Sequence, residues 1–246
     1  MGQIYIKAAK EILKINDKLF IQTQNIISGE KGNLKIGVMP CEERYLLPNL
    51  LPKIKKIHPQ LKIETFTTIP IKVENLLYKN LVNFAILITT DNTDIQHIPL
   101  KKFDILLALP LNHKLAKNYT FPSDRKSFPK IDLASLTNEA FVMAKGTYLL
   151  NTVQNIANAQ NVDLNIELTV STSDAAISVV RTGYGATFVT NKYIIDNVAY
   201  FKIKGEDMQQ EVSLAYLKNK QLNLVEQNFL NTIENISFEY TAFEYN

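Results

Sequence analysis

Four short stretches are rich in small polar groups that a ligand could meet: MPCEE (39–43), TTIP (67–70), KGTY (145–148) and STSD (171–174). Each stands between a strand-like run and a helix-like run. Such a junction combines unsatisfied backbone N–H groups with the positive end of a helix dipole, which attracts carboxylates and phosphates. In an open α/β sheet, ligands bind at the carboxyl ends of the strands. Four junctions, two in each half of the chain, therefore suggest a cleft between two lobes. Ser171, Thr172, Ser173 and Asp174 serve equally well as helix N-caps, each worth about 1 kcal/mol.

Other chemistry is poorly supported. His58, His97 and His113 are scattered, and none has a His or Cys at metal-ligand spacing. The chain has no G-x-S-x-G elbow and no P-loop. GYGATF (183–188) superficially matches a dinucleotide loop, but it follows a helix where such a loop follows a strand; Gly183 is expected to end that helix. Cys41 is a redox sensor or nucleophile on one reading and a small pocket-lining residue on the other, and the second is preferred, since Arg44 is its one basic neighbour. KIKK (53–56) suits the solvated side of an amphipathic helix better than a nucleic-acid patch. The expectation is a protein that binds without turnover and needs neither metal nor cofactor.

The elements that would position the junctions alternate. Buried strands are predicted at 34–39, 61–67 and 84–89, with helices over 43–57 and 71–80. Leu46, Leu47, Leu50, Leu51, Ile54 and Ile57 should form the inner face of the first helix. Pro48 fits its first turn, Pro52 should bend it, and Pro59 enforces its exit. Further strands are predicted at 104–110, 141–145, 165–170, 186–190 and 211–217, with helices near 148–160, 171–185 and 223–236 and a turn-rich stretch at 121–130. Strands separated by helices imply a parallel sheet covered on both faces. Ahead of them, Tyr5, Ala8, Ile12, Ile15, Leu19, Gln22 and Ile26 follow a 3-4 spacing, a heptad seam roughly 32 Å long. Its narrowness and the polar Gln22 favour a pairing helix over one packed on its own domain.

Composition sets outer limits. The 246 residues suit one or two lobes, and 46% hydrophobic with 21% charged residues is ordinary for a globular protein. A net charge of +3, spread along the chain, excludes a concentrated basic nucleic-acid face. One cysteine forbids an internal disulfide. The start has no apolar signal core, and no apolar run is long enough to span a membrane, so a cytoplasmic location is expected.

Taken in order, GEKGNLKIGV, LLPNLLPKIKKIHPQLKIE, LVNFAILI, LLALPLNHKLA and SDAAISVVRTGYGATFVT resemble the regulatory part of LysR-type transcriptional regulators, over residues 4–240. The resemblance implies an α/β, two-lobed, periplasmic-binding-protein-like (type II) fold, with two α/β subdomains joined by crossover strands. It implies a linker and dimerisation helix (1–30), a first subdomain (33–107 plus 206–246) and a second (108–205). It also implies a small-molecule effector held by Pro40, Cys41 and Glu42, by Thr67 and Thr68, by Gly146, Thr147 and Tyr148, and by Ser171, Thr172 and Ser173. Where the family often offers a hydroxyl, this chain has Cys41 followed by Glu42 and Glu43, acids that either point outward or pair with a cationic group of the ligand. The family's winged helix-turn-helix, which would read operator DNA, is not found before Tyr5, so a truncated chain is expected. A homodimer is implied, with tetramers in full-length relatives. A transport solute-binding protein shares the fold, but would leave the heptad helix unexplained; an enzyme on the same fold would need paired catalytic groups.

Overall fold

A computed structural model describes residues 6, 9–17, 32–123 and 127–236. The chain divides into two units, Met1–Pro99 with Ser213–Thr241 and Leu100–Val212 with Ala242–Asn246. Strands β4 (Ile95–Pro110) and β10 (Gln209–Leu217) each run through a division point and contribute residues to both units.

In the first unit the strand order is β2-β1-β3-β10. Strands β1 (Asn33–Val38), β2 (Lys62–Thr67) and β3 (Phe84–Ile88) are parallel, with Val38 opposite Thr67 on one side and Ile86 on the other. Parallel neighbours need crossovers. These are α1 (Pro40–Tyr45) with α2 (Leu47–Ile57), and α3 (Pro70–Tyr78); α6 (Leu224–Asn235) completes the unit. Strand β3 shows why its sequence is continuously apolar: Ala85 and Leu87 join Val73 and Leu77 of α3, while the Phe84 ring meets Phe229 of α6 at 5.1 Å. Both faces are covered, as the alternation of strands and helices requires.

The helix expected over 43–57 is two helices. The break falls at Leu46; Pro48 lies in the first turn of α2 and Pro52 inside it. Leu46, Leu50 and Ile54, four residues apart, form the buried seam. Leu51 and Ile57, expected on the inner face, are 36% and 56% exposed. A helical period of 3.6 carries Leu51 about 100° away from the seam, and Ile57 is the last residue of the helix.

At the amino ends of β1 and β3 a polar lock is buried. Glu226, 2% exposed, accepts from Asn83 Nδ2 (2.6 Å) and Lys220 Nζ (2.7 Å) on Oε1, and from the Asn223 amide (2.9 Å) on Oε2. Asn223 returns a capping bond to the Glu226 amide, and Asn83 Oδ1 accepts from the Lys35 amide. The lock ties β1, β3 and the start of α6 together.

In the second unit β4 pairs antiparallel with β8 (Thr187–Thr190) and β9 (Val198–Ile203), and β9 pairs with β5 (Lys130–Ile131). Strand β9 was absent from the sequence expectation, and β4 begins nine residues before the expected Asp104. Strands β6 (Ala140–Ala144) and β7 (Asn165–Val170) are parallel, and a bridge from Phe141 to Ala186 aligns β8 with them. Helix α4 (Tyr148–Ala159) supplies Leu149 and Val153 to a core in which the Phe141 and Phe188 rings stack, 5.9 Å apart and 5° from parallel. Helix α5 (Ser173–Arg181) ends where the Gly183 amide bonds the Val180 carbonyl (2.9 Å), so GYGATF is a helix end, as expected.

Residues 9–17 are helical, with Ile12, Leu13 and Ile15 at least 60% exposed. The other positions of the expected heptad seam, Tyr5, Ala8, Leu19, Gln22 and Ile26, lie outside the described residues, as do 124–126 of the turn-rich stretch.

Candidate functional site

Because β1, β2 and β3 are parallel, their carboxyl ends share one edge of the first unit. The Thr68 amide bonds the Val38 carbonyl at 3.1 Å, which sets Thr67 and Thr68 beside Met39 and Pro40. Pro40 opens α1 and is exposed; Cys41 is half-buried, packed against the α3-side core, and its thiol donates to Glu42 Oε1 (3.4 Å). Glu42 is fully buried and so points inward, while Glu43 accepts from the Thr65 hydroxyl at 3.0 Å. The two acids therefore have different surroundings.

The second unit repeats the arrangement. The Lys145 amide bonds the Val170 carbonyl at 2.9 Å, so the ends of β6 and β7 lie side by side with Gly146, Thr147 and Tyr148 next to Ser171, Thr172 and Ser173. Thr147 is the N-cap of α4: its hydroxyl accepts from the Leu150 amide (3.2 Å) and donates to the Ala144 carbonyl (2.9 Å). Thr172 caps α5 through the Ala175 amide (3.2 Å). Both threonines thus perform the capping task; Thr147 has its single donor engaged, whereas Thr172 is exposed with its O–H available to a ligand. Gly146 has φ +68° and no atom within 4 Å of where a Cβ would stand, leaving open space against its backbone.

In each unit, then, the two predicted junctions are brought together at one sheet edge. Sequence reasoning missed a third member in each. Thr90, just beyond β3, and Thr190, the last residue of β8, have buried hydroxyl oxygens with no hydrogen-bond partner among the described residues. A threonine ending a strand is unremarkable in sequence; only its burial marks it.

The opposite edge of the second unit carries a hollow of about 380 Å³ lined by Asn112, His113, Lys114, Glu139, Gly183 and Gly185 among others. Its charges are mutually satisfied. Lys114 Nζ and His113 Nε2 approach the two Glu139 oxygens at 2.8 and 3.0 Å, and the hydrogen bond from Lys114 is the main influence holding the Glu139 carboxyl below its ordinary range. His113 Nδ1 meanwhile accepts from the Leu115 amide (3.2 Å). This cluster fastens a turn to the start of β6. Among the described residues no group of His, Cys, Asp or Glu is arranged to hold a metal, and no helix is long and apolar enough to cross a membrane.

Comparison with known proteins agrees with this architecture. The chain is 24% identical over 236 residues to the HTH-type transcriptional activator CmpR of Synechocystis, covering 93% of this chain and 74% of CmpR. It is 21% identical over 201 residues to a probable RuBisCO transcriptional regulator of Thalassiosira pseudonana, covering 78% of this chain and 63% of that protein. Among solved structures, the Synechocystis CcmR regulatory domain in complex with 2-PG superposes with a TM-score of 0.70 at 20% identity, over 83% of this chain and 96% of that domain. The fold is the type II periplasmic-binding-protein-like α/β fold seen in such domains, with a mixed sheet and flanking helices. Residues 28–236 match the LysR substrate binding domain, and the chain belongs to that family.

Proposed function

We propose that this chain is the effector-sensing and pairing part of a cytoplasmic LysR-type transcriptional regulator, and that it works by binding a small molecule without converting it. The observation that carries this reading is the clustering of hydroxyl-bearing strand ends in each unit, with threonine-capped helices in the second, in a chain whose relatives are transcriptional regulators. Pro40, Cys41, Glu42, Thr67 and Thr68 are the proposed contacts from the first unit. Gly146, Thr147, Tyr148, Ser171, Thr172 and Ser173 are those from the second. DNA contact is assigned to the part of the relatives that this chain does not cover. The effector acts by favouring one arrangement of the units over another, and it can shift that balance only by its difference in affinity for the two; a coupling of about 1–3 kcal/mol is ordinary. That relatives of this fold include a domain bound to 2-PG supports a small metabolite as ligand. A metabolite found by thermal-shift screening should bind Thr172→Val roughly tenfold more weakly in calorimetry, the loss of about one hydrogen bond. Equal affinity would remove Thr172 from the site, and consumption of the metabolite would contradict the sensing role.

Pairing into a homodimer is proposed on three surfaces. Among the described residues, strand β2 ends the strand order of its sheet, β7 has one partner strand, and the helix over 9–17 exposes Ile12, Leu13 and Ile15. Leu168 of β7 is 38% exposed as well. An unpaired edge is a template for pairing with another chain, and an exposed apolar stripe marks an interaction surface. Light scattering at micromolar concentration should give the mass of two chains; a monomer would contradict the assignment.

A further inference from the structure

Thr190 is 1% exposed, and its hydroxyl oxygen has no hydrogen-bond partner among the described residues. Buried hydroxyls are normally paired, because leaving one unpaired destabilises the fold. Thr190 precedes the turn at Asn191–Tyr193 without capping it, so it has no local task. Its direction follows from strand alternation. Ala186 and Phe188 pack in the core with Leu149 and Val153 of α4, and Thr190, two residues further along β8, faces the same layer. Strand β8 runs with β6, so Thr190 reaches that layer at the end where α4 begins. Helix α4 has twelve residues, and Thr147 caps only one of its first-turn amides, that of Leu150. Lys145 precedes this turn, and Lys192 follows Thr190 with its ammonium 4.6 Å from the Phe103 ring centre; Asp174, in the first turn of α5, is the one nearby carboxylate in these three segments.

We infer that the first turn of α4 and the Thr190 hydroxyl together form an oxyanion subsite, and hence that the effector carries a carboxylate or phosphate group read in the second unit. This rests on the sensing function proposed above and names the chemical class it serves. The oxyanion accepts from the Leu149 amide, at the positive end of the helix dipole, and from the Thr190 hydroxyl. The unpaired hydroxyl is then a cost in stability retained for binding, a trade common at functional sites.

The test is titration of the ¹⁵N-labelled full chain with inorganic phosphate, following backbone amides, for the wild type, Thr190→Val and Thr190→Ser. Saturable shifts are expected, largest at the Leu149 amide. Valine should weaken phosphate binding by roughly fivefold, as expected for one lost hydrogen bond, while serine restores it. Without phosphate, valine should raise the melting temperature, which a residue with a purely structural hydrogen bond would not do. Absence of saturable shifts in this turn, or equal phosphate affinity of wild type and Thr190→Val, would overturn the subsite. If phosphate fails here while a screened metabolite still binds, the subsite alone is wrong; if phosphate binds here and no metabolite does, the subsite stands and the sensing function falls.

Discussion

Glu226→Ala should destabilise the protein by about 2–4 kcal/mol, because it removes three hydrogen bonds from a buried carboxylate and leaves the Lys220 ammonium, 20% exposed, with the Asn83 carbonyl (3.2 Å) as its remaining hydrogen-bond acceptor among the described residues. The carboxylate is 2% exposed and serves three donors at once, Asn83 at 2.6 Å, Lys220 at 2.7 Å and the Asn223 amide at 2.9 Å. Alanine also deletes half of the capping box that starts α6. Urea denaturation with a Lys220→Ala cycle checks the origin of the loss. If the pair is coupled, the double variant costs less than the sum of the single ones. Strict additivity would mean that the lock contributes no mutual stabilisation.

The second large effect is expected at Gly185, with Gly146 as its control. Both have left-handed backbones, at φ +66° and φ +68°. Any other residue in that conformation costs roughly 1–2 kcal/mol. At Gly146 that is the whole cost, since nothing lies within 4 Å of an added Cβ. At Gly185 the Cβ would stand 2.6 Å from the Ala140 carbonyl oxygen, the same atom that accepts the Ala186 amide at 2.7 Å. Backbone there cannot give way without separating β8 from β6. Gly185→Ala should therefore cost roughly 2 kcal/mol more than Gly146→Ala by denaturation. It should also weaken ligand binding, because β8 carries Thr190 to the site. Equal stability of the two variants would show that the β6–β8 contact tolerates displacement.

Much of this fold can be read along the chain because its inner strands, such as β3 and β8, are buried on both faces. The run FAILI is apolar throughout and LKIGV is interrupted by a single lysine, Lys35, a density of apolar residues that half-exposed strands lack. The first half of β4, IQHIPLKK, carries charges and a proline and is largely half-exposed, so it does not look like a strand until its neighbours are known. VAYFKI of β9 is buried at five of its six positions and is bounded by turns, a pattern compatible with several elements. The junctions are legible because Thr147 and Thr172 stand where helices need caps. Thr90 and Thr190 are not, since threonine suits any strand and only packing leaves its hydroxyl alone. Nor is the Glu226 lock legible, for Asn83 and Glu226 are 143 residues apart in sequence.

The proposed function rests on ligand contact at the strand ends rather than anywhere else on the surface. Amide-resolved mapping of a screened metabolite on the whole chain, with 2-PG in the library, addresses that directly. Shifts concentrated at 40–42, 67–68, 146–148 and 171–173, with the metabolite recovered unchanged, are what ligand sensing predicts. Shifts centred on the His113–Glu139 hollow, or loss of the metabolite to a product, would contradict it.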